Sequence, residues 1–351
     1  MTIMSILRIG ITGQAGFIGT HLFNTLGLHA DDYKRVSFQD EYFESDEILD
    51  SFVQQCDVIV HLAAVHRPAD INVLYETNIG LVQKLIGSME RTNCTPYVIM
   101  SSSLQEERDN LYGKSKHDGR LLFNEWAERN DTAFTGLIIP NVFGPFGVPY
   151  YNSVISTFSH QIIIGEEPKI EVDGLLNLIY VGDLVSQIMD FIMMYRDKDL
   201  SSDAADTRTS IPSLFKVPHT AQHKVSDLLH KLRSFHETYV VNGVFPDFTD
   251  WFDVCLFNTF RSYIPSDHFP VSYKKHSDPR GVYVEAVKFL SGGQTAFSTT
   301  VPGITRGNHF HTRKVERFAV IQGKASIKLR KYGSDEVVEY LLDGSDPSYV
   351  D

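Results

Sequence analysis

A glycine-rich turn set between a strand signal and a helix signal constrains this chain more than any other feature. Ile6–Thr12 is an apolar run of strand length, Gly13-Gln14-Ala15-Gly16-Phe17-Ile18-Gly19 follows at once, and Phe17–Leu26 takes up helical periodicity. Glycines there allow a tight turn, close backbone approach to a diphosphate and tight packing of helix on strand. The helix start adds unpaired N–H donors for an anion. A glycine triplet alone is more often just a turn. Between a strand and a helix it points to a dinucleotide site at Gly13, Gly16, Phe17, Ile18 and Gly19.

The alternation continues. Strands are expected at Val36–Phe38, Asp57–Ala63, Tyr97–Ser101 and Thr135–Pro140, and helices over Asp46–Gln55, Asn78–Arg91 and Tyr112–Asn130. Strands separated by helices pair in parallel through crossovers, so the fold class is α/β with a doubly wound parallel sheet. An acid at the end of the second strand would select NAD and a base NADP. Arg35 precedes that strand and Asp40 comes late, so the choice stays open.

From about Ser266 the texture changes to short β-rich runs: Val282–Phe289, Gln294–Val301, Arg317–Ile321, Ala325–Leu329 and Val337–Leu342. Gly292, Gly293, Gly303, Gly307, Gly323, Gly333 and Gly344 punctuate them. That pattern predicts a small antiparallel barrel or sandwich. A boundary at Ile264-Pro265-Ser266 divides the chain into domains 1–264 and 265–351. Two domains also suit 351 residues, since single cores stop growing near ~250–300. Asp197–Ser210, rich in Asp and Ser, reads as an exposed loop.

Lys and Arg number 32 against 44 Asp and Glu, a net charge of −12 that argues against nucleic acid or an anionic membrane as partner. Cys56, Cys94 and Cys255 are odd in number and widely spaced, which argues against a disulfide framework or a Cys-based zinc site, and a reducing cytoplasm is expected. The N-terminus has no cationic stretch followed by a long apolar run and a cleavage site, and no run of about 18 apolar residues occurs; no membrane route is expected.

Tyr112-Gly113-Lys114-Ser115-Lys116 puts Tyr112 and Lys116 on one helix face. On most helices such a pair is merely solvated. After a phosphate loop it reads as a proton-transfer pair, in which the ammonium lowers the phenol's pKa and holds a ribose. The serines Ser101-Ser102-Ser103, at the end of the preceding strand, supply a hydroxyl to polarise a carbonyl.

With these residues in view, the first ~260 positions resemble the extended short-chain dehydrogenases/reductases acting on nucleotide sugars. The matching segments are the glycine loop, Asp57-Val58-Ile59-Val60-His61-Leu62-Ala63-Ala64, Asn78, the serine run, Tyr112 with Lys116, and Pro140-Asn141-Val142-Phe143-Gly144-Pro145. The resemblance implies Tyr112 as proton donor or acceptor, Ser103 as its hydrogen-bonding partner, Lys116 as orienting cation, Leu62, Ala63 and Ala64 beside the cofactor, and Asn141 on the sugar-nucleotide diphosphate. Two departures stand out. Ile138 and Ile139 occupy the place of an Arg common in the family. Leu104-Gln105 stand where its dehydratases carry Asp-Glu, which points to reduction or epimerisation instead of water elimination.

Gly303, His309, His311, Glu316 and Gly323 fit the first cupin motif at every fixed position. Two histidines one apart on a strand point the same way, and an adjoining carboxylate completes three ligands, for zinc first, with manganese, iron or nickel as alternatives. A solvated strand face is the plainer alternative; the framing glycines weigh against it. The second motif, with the fourth ligand, does not follow Gly344-Ser345-Asp346-Pro347, so a shortened cupin barrel is expected. Lys314 and Arg306 read as solvated rim charges or sugar-phosphate contacts.

The order reductase then cupin resembles the bifunctional capsular-polysaccharide enzymes of UDP-N-acetyl-L-fucosamine precursor synthesis, with further matches at Tyr151-Asn152-Ser153-Val154-Ile155 and Pro302–His309. That resemblance implies C3 epimerisation of a UDP-2-acetamido-2,6-dideoxy-hexos-4-ulose by the cupin, NADPH-dependent reduction of its C4 ketone by the first domain, Asn152 as a second substrate contact, and a homodimer. Two other readings fit the residues: a 4-epimerase that retains NAD, and a dinucleotide-binding scaffold with an inactive cupin. Trp126, Trp251, Met193 and Met194 are expected to pack in the core, and His66, His160, His219, His223 and His230 to serve surface or capping roles.

Overall fold

The computed structural model describes residues 6–66, 72–199, 211–311 and 314–351. Two units result: residues 1–271 with 287–294, and residues 272–286 with 295–351.

In the first unit, β1 (Leu7–Thr12), β2 (Tyr33–Val36), β3 (Val58–His61), β4 (Tyr97–Ser103), β5 (Phe134–Ile139) and β8 (Leu214–Lys216) form one sheet in the order β2-β1-β3-β4-β5-β8. Every pairing in it is parallel. Its inner strands β1, β3, β4 and β5 are buried on both faces, as crossovers with helices on either side require, while the edge strands β2 and β8 are partly exposed. Strand residues alternate between the two faces. Val58, Val60, Tyr97 and Ile99 join the cluster under α1 (Phe17–Gly27) and α6 (Val181–Asp199). Ile59, Val98 and Met100 join the one under α2 (Asp46–Val53), α3 (Asn72–Thr92) and α4 (Leu111–Arg129). The expected doubly wound α/β sheet is therefore present.

A second sheet, β6 (Asn141–Phe143), β7 (Leu175–Tyr180) and β9 (Ala221–Lys224), packs with α5 (Val154–Ile164), α7 (Val225–Phe235) and α8 (Trp251–Arg261) in a third cluster built on Phe143, Leu228, Leu256 and Phe260.

Several local expectations fail for physical reasons. The second strand runs Tyr33–Val36 instead of Val36–Phe38, because Leu7–Gly10 pairs with Tyr33–Val36 and Phe38 turns into a ring cluster with Tyr42, Phe43 and Phe52. Trp126 is fully buried, whereas Trp251, in the first turn of α8, is 63 % exposed, and Met193 and Met194 lie on the outer side of α6. Asp197–Asp199 continue α6; the remainder of the loop expected at Asp197–Ser210 lies outside the described residues.

The second unit is all-β. β10 (Lys275–Asp278), β11 (Gly281–Lys288) and β12 (Gln294–Thr300) make one sheet, β13 (Phe318–Ala319) pairs antiparallel with β16 (Tyr349–Val350), and β14 (Lys324–Arg330) pairs antiparallel with β15 (Val337–Asp343). Strands fall close to the runs expected from sequence, as separate two- and three-stranded ribbons among the described residues. No helix among the described residues is long and apolar enough to cross a membrane.

Candidate active site

The glycine loop is built as its chemistry requires. Gly13 has φ +71°, and a Cβ there would stand 2.8 Å from the Ala63 nitrogen. A Cβ on Gly19 would stand 2.2 Å from the Gly13 carbonyl oxygen. The Gly16 N–H donates to that same oxygen at 3.0 Å, and Gly16 caps α1, so the N–H groups of Phe17, Ile18 and Gly19 form the open first turn. Leu62, Ala63 and Ala64 run alongside from the end of β3. A Cβ on Gly13 or Gly19 would clash with this backbone, and the turn with its open first-turn N–H groups fits a dinucleotide diphosphate.

The serines that end β4 have three different partners. Ser101 receives the Lys116 ammonium, whose Nζ donates to its carbonyl at 3.0 Å and approaches its hydroxyl at 3.5 Å. The Ser102 hydroxyl donates to the Glu106 carboxylate. The Ser103 hydroxyl accepts the Gln105 N–H at 3.2 Å, capping a 3-10 turn over Leu104–Glu107, and its own proton remains available to an acceptor. Gly113, one residue past Tyr112, rests on this turn: a Cβ there would stand 1.9 Å from the Gln105 carbonyl oxygen.

Tyr112 and Lys116 share one face of α4, with the Lys116 ammonium 5.9 Å from the centre of the Tyr112 ring. Lys116 is 3 % exposed, and burial pulls its pKa down to about 8. The phenol moves opposite to expectation. Burial pushes the Tyr112 pKa up, with the Tyr151 phenol adding to the rise, while the Lys116 ammonium donates to Ser101. A protonated phenol is the state needed to give a proton to an alkoxide.

His66, expected at the surface, lies against Tyr112 with ring centres 4.5 Å apart, and Tyr151 closes the group edge-on at 6.1 Å from His66. Buried Asn78 fastens this wall: it accepts the Val65 N–H at 2.7 Å and donates to the Val65 carbonyl at 3.0 Å and the Ser115 hydroxyl at 3.1 Å. Beneath it, His61 hydrogen-bonds Thr12 at 2.8 Å, and burial, with the nearby Lys116 charge, pushes its pKa down to about 3. Asn141 is exposed at the start of β6 and donates to the Asn177 carbonyl at 3.0 Å; Asn152 is exposed just before α5. Ile138 and Ile139 are buried in β5.

Sequence reasoning missed Glu106 and Arg120. Arg120 grips the Glu106 carboxylate through Nε at 3.0 Å and Nη2 at 2.8 Å, with both side chains largely out of solvent. The available signal was spacing: Tyr112, Lys116 and Arg120 are each four apart and form one row along α4.

In the second unit, His309, His311 and Glu316 bring one ligand atom each within 4.8 Å of one another. The Glu316 carboxylate lies 3.4 Å from His309 Nε2 and 3.0 Å from His311 Nε2, and Lys314 holds its other oxygen. Lys314, then the histidines, drive its pKa down to about 2, so the carboxylate is ionised. The histidines sit in an extended loop before β13, not on a strand as expected, with ring centres 4.8 Å apart. Two imidazoles and an ionised carboxylate are a donor set that fits a divalent cation. Arg306 donates to the Thr299 carbonyl at 2.9 Å, a bond within the unit.

Comparison with known proteins agrees with this architecture. Residues 276–351 match the family described as polysaccharide biosynthesis C-terminal domain. The chain is 29% identical over 355 residues to the "UDP-2-acetamido-2,6-beta-L-arabino-hexul-4-ose reductase" of Pseudomonas aeruginosa, covering 98% of this chain and 88% of that protein. A crystal structure of the capsular polysaccharide assembling protein CapF from Staphylococcus aureus superposes with a TM-score of 0.81 at 29% identity, over 98% of this chain and 89% of the other. The Bordetella bronchiseptica enzyme WbmF in complex with NADH shares the fold at 16% identity, with a TM-score of 0.56 over 74% of this chain and 92% of its own. Residues 9–201, more than half of the sequence and the stretch that carries the glycine cradle and the Tyr112–Lys116 row, match the NAD dependent epimerase/dehydratase family, and the chain belongs to that family.

Proposed function

We propose that this protein reduces the C4 ketone of a UDP-2-acetamido-2,6-dideoxy-hexos-4-ulose with NADPH, and that its C-terminal unit, as a cupin, epimerises C3 of the same sugar. The observation that carries the reading is the Tyr112 phenol on one helix face with a buried Lys116, in a chain similar to a reductase of this type over 98% of its length. A reduced nicotinamide bound at the glycine cradle would supply the hydride to C4. Tyr112 Oη gives its proton to O4 as negative charge develops there, Ser103 holds that oxygen by hydrogen bond, and Lys116 stabilises the phenolate that results. The proton balance closes when the phenolate is reprotonated from solvent.

NADPH is favoured over NAD because Ser37-Phe38-Gln39 offers no carboxylate before Asp40 and Lys34 stands exposed at the edge of β2; the Arg35 guanidinium lies over the Phe23 ring. Gln14 turns inward, accepting the Phe38 N–H at 3.1 Å.

His309, His311 and Glu316 would hold a divalent cation, zinc in the first instance. Such an ion supplies a Lewis acid for a carbonyl whose neighbouring C–H is to be exchanged. The test is direct: with the 4-keto sugar nucleotide, the protein should consume NADPH stoichiometrically, yield a C4 alcohol, and exchange C3 hydrogen for deuterium. Tightly retained cofactor with no net NADPH consumption would instead identify a 4-epimerase.

A further inference from the structure

The loop 144–151, between β6 and α5, holds two residues with side chains in left-handed backbone: Phe146 at φ +67° and Tyr150 at φ +60°. Such conformations persist only where the surroundings over-determine them, and they gather at functional sites. Here each strained N–H is taken by a hydroxyl from another element. The Phe146 N–H donates at 3.1 Å to Ser262 Oγ, just after α8, and that hydroxyl donates to the Thr259 carbonyl at 2.7 Å. The Tyr150 N–H donates to Thr157 Oγ1 of α5 at 2.9 Å, and that hydroxyl donates to the Ser153 carbonyl at 2.9 Å. Between them, Tyr263 Oη donates to the Gly147 carbonyl at 2.6 Å, and His21 Nε2 of α1 donates to the Pro145 carbonyl at 3.1 Å. Anchors from α1, α5 and the segment after α8 thus fix a backbone whose own side chains give it little burial, since Phe146 and Val148 stand exposed.

The residue that this fastened loop delivers is Tyr151. Its ring meets His66 edge-on with 6.1 Å between centres, and His66 in turn lies on the Tyr112 ring at 4.5 Å with the planes 34° apart. From the other side Asn78 holds both backbone polar groups of Val65, the residue before His66.

We propose that Tyr151 and His66 are positioning residues of the reductase centre: the strained loop wedges Tyr151 against His66, and the stacked His66 ring fixes the plane of the Tyr112 phenol and so the direction of its Oη.

A phenol needs such a neighbour, because proton transfer to a carbonyl oxygen depends on where Oη points, and a misplacement of about 1 Å costs up to about 10²-fold in rate. Edge-on and offset-stacked rings attract one another and hold a relative orientation. The contact acts through ring faces and edges, so hydrocarbon rings should serve in place of the polar ones. The inference rests on the proposed reduction for its kinetic readout alone.

The test uses the full chain. The ring-proton resonances of labelled tyrosine, with Tyr112 assigned by Tyr112→Phe, report the facing imidazole as an upfield ring-current displacement. That displacement should vanish in His66→Ala, persist in His66→Phe, and shrink in Tyr151→Ala and Ser262→Ala. In turnover, kcat should fall by about 10–100-fold in His66→Ala and Tyr151→Ala with KM for NADPH little changed, and His66→Phe and Tyr151→Phe should recover most of the loss. Ser262→Ala, which alters an anchor of the loop, should lower kcat less and in the same direction; it also covers the case in which the ring-to-alanine variants do not fold. Phenylalanine variants as slow as the alanine ones would mean that these residues act through polar atoms and not through stacking, which overturns the proposal. Tyr112 resonances in Tyr151→Ala that coincide with wild type overturn it as well. If the wild-type protein shows no NADPH turnover, the proposed function fails while the Tyr112 resonances still decide the positioning role.

Discussion

The two units carry their candidate sites on very different foundations. In the N-terminal unit the serines, Tyr112 and Lys116 are positioned by a parallel sheet buried on both faces and by helices packed on it. In the C-terminal unit only Val284, Leu342 and Val350 are buried among the described apolar residues, while Phe310, Val315, Ile321, Tyr332 and Leu341 stand largely exposed. There, His309, His311 and Glu316 are held by one another and by Lys314. A site on a packed core inherits its precision from hundreds of dispersion contacts, whereas a site held by local ion pairs has only those pairs.

The largest expected effect tests the first half of that contrast. Tyr112→Phe deletes one oxygen from a rigid frame, so the cradle and the fold should persist while reduction falls by about 10²–10⁴-fold, the usual worth of a positioned proton donor. The check is single-turnover NADPH oxidation alongside cofactor binding. A rate near wild type would remove Tyr112 from the chemistry, and lost cofactor binding would show that the frame is less rigid than its packing implies.

Next in size is the core itself. Trp126 is fully buried between α4 and the sheet, in the cluster with Phe123, Phe134 and Met100. Trp126→Ala should cost about 3–5 kcal/mol, measured by urea unfolding of the N-terminal transition. A loss under about 1 kcal/mol would mean that the cluster collapses around the gap and that packing does not set the position of α4.

How much of this was legible in the sequence follows the same divide between local and distant. The glycine cradle could be read because its strand, turn and helix are contiguous, and the Tyr112–Lys116 pair because helical spacing fixes which residues share a face. The Glu106–Arg120 pair could not, since it depends on how a turn after β4 folds back over α4, 14 residues along. The upward direction of the Tyr112 pKa is hidden for a related reason: spacing shows that an ammonium is near but not that packing buries the phenol against Tyr151. In the second unit, the strands could be placed from glycine punctuation, but the pairing into separate ribbons depends on contacts between distant segments. The histidine pair was expected on a strand because alternation there mimics one; the chain instead runs extended without a ladder partner.

The smallest effect is the most informative about the second unit. Leu341 lies in β15 opposite Ser326 and is 81 % exposed, so its side chain gains little from its own ribbon. Burial of a leucine contributes about 1.5–3 kcal/mol only when water is excluded from it, and surface substitutions away from special features stay within about 0.5 kcal/mol. Leu341→Ser should therefore leave the unfolding midpoint of the C-terminal transition almost unmoved, in contrast to Trp126→Ala. A loss above about 1.5 kcal/mol would show that this face is covered in solution, and the protein-concentration dependence of the transition would then tell whether a second copy covers it.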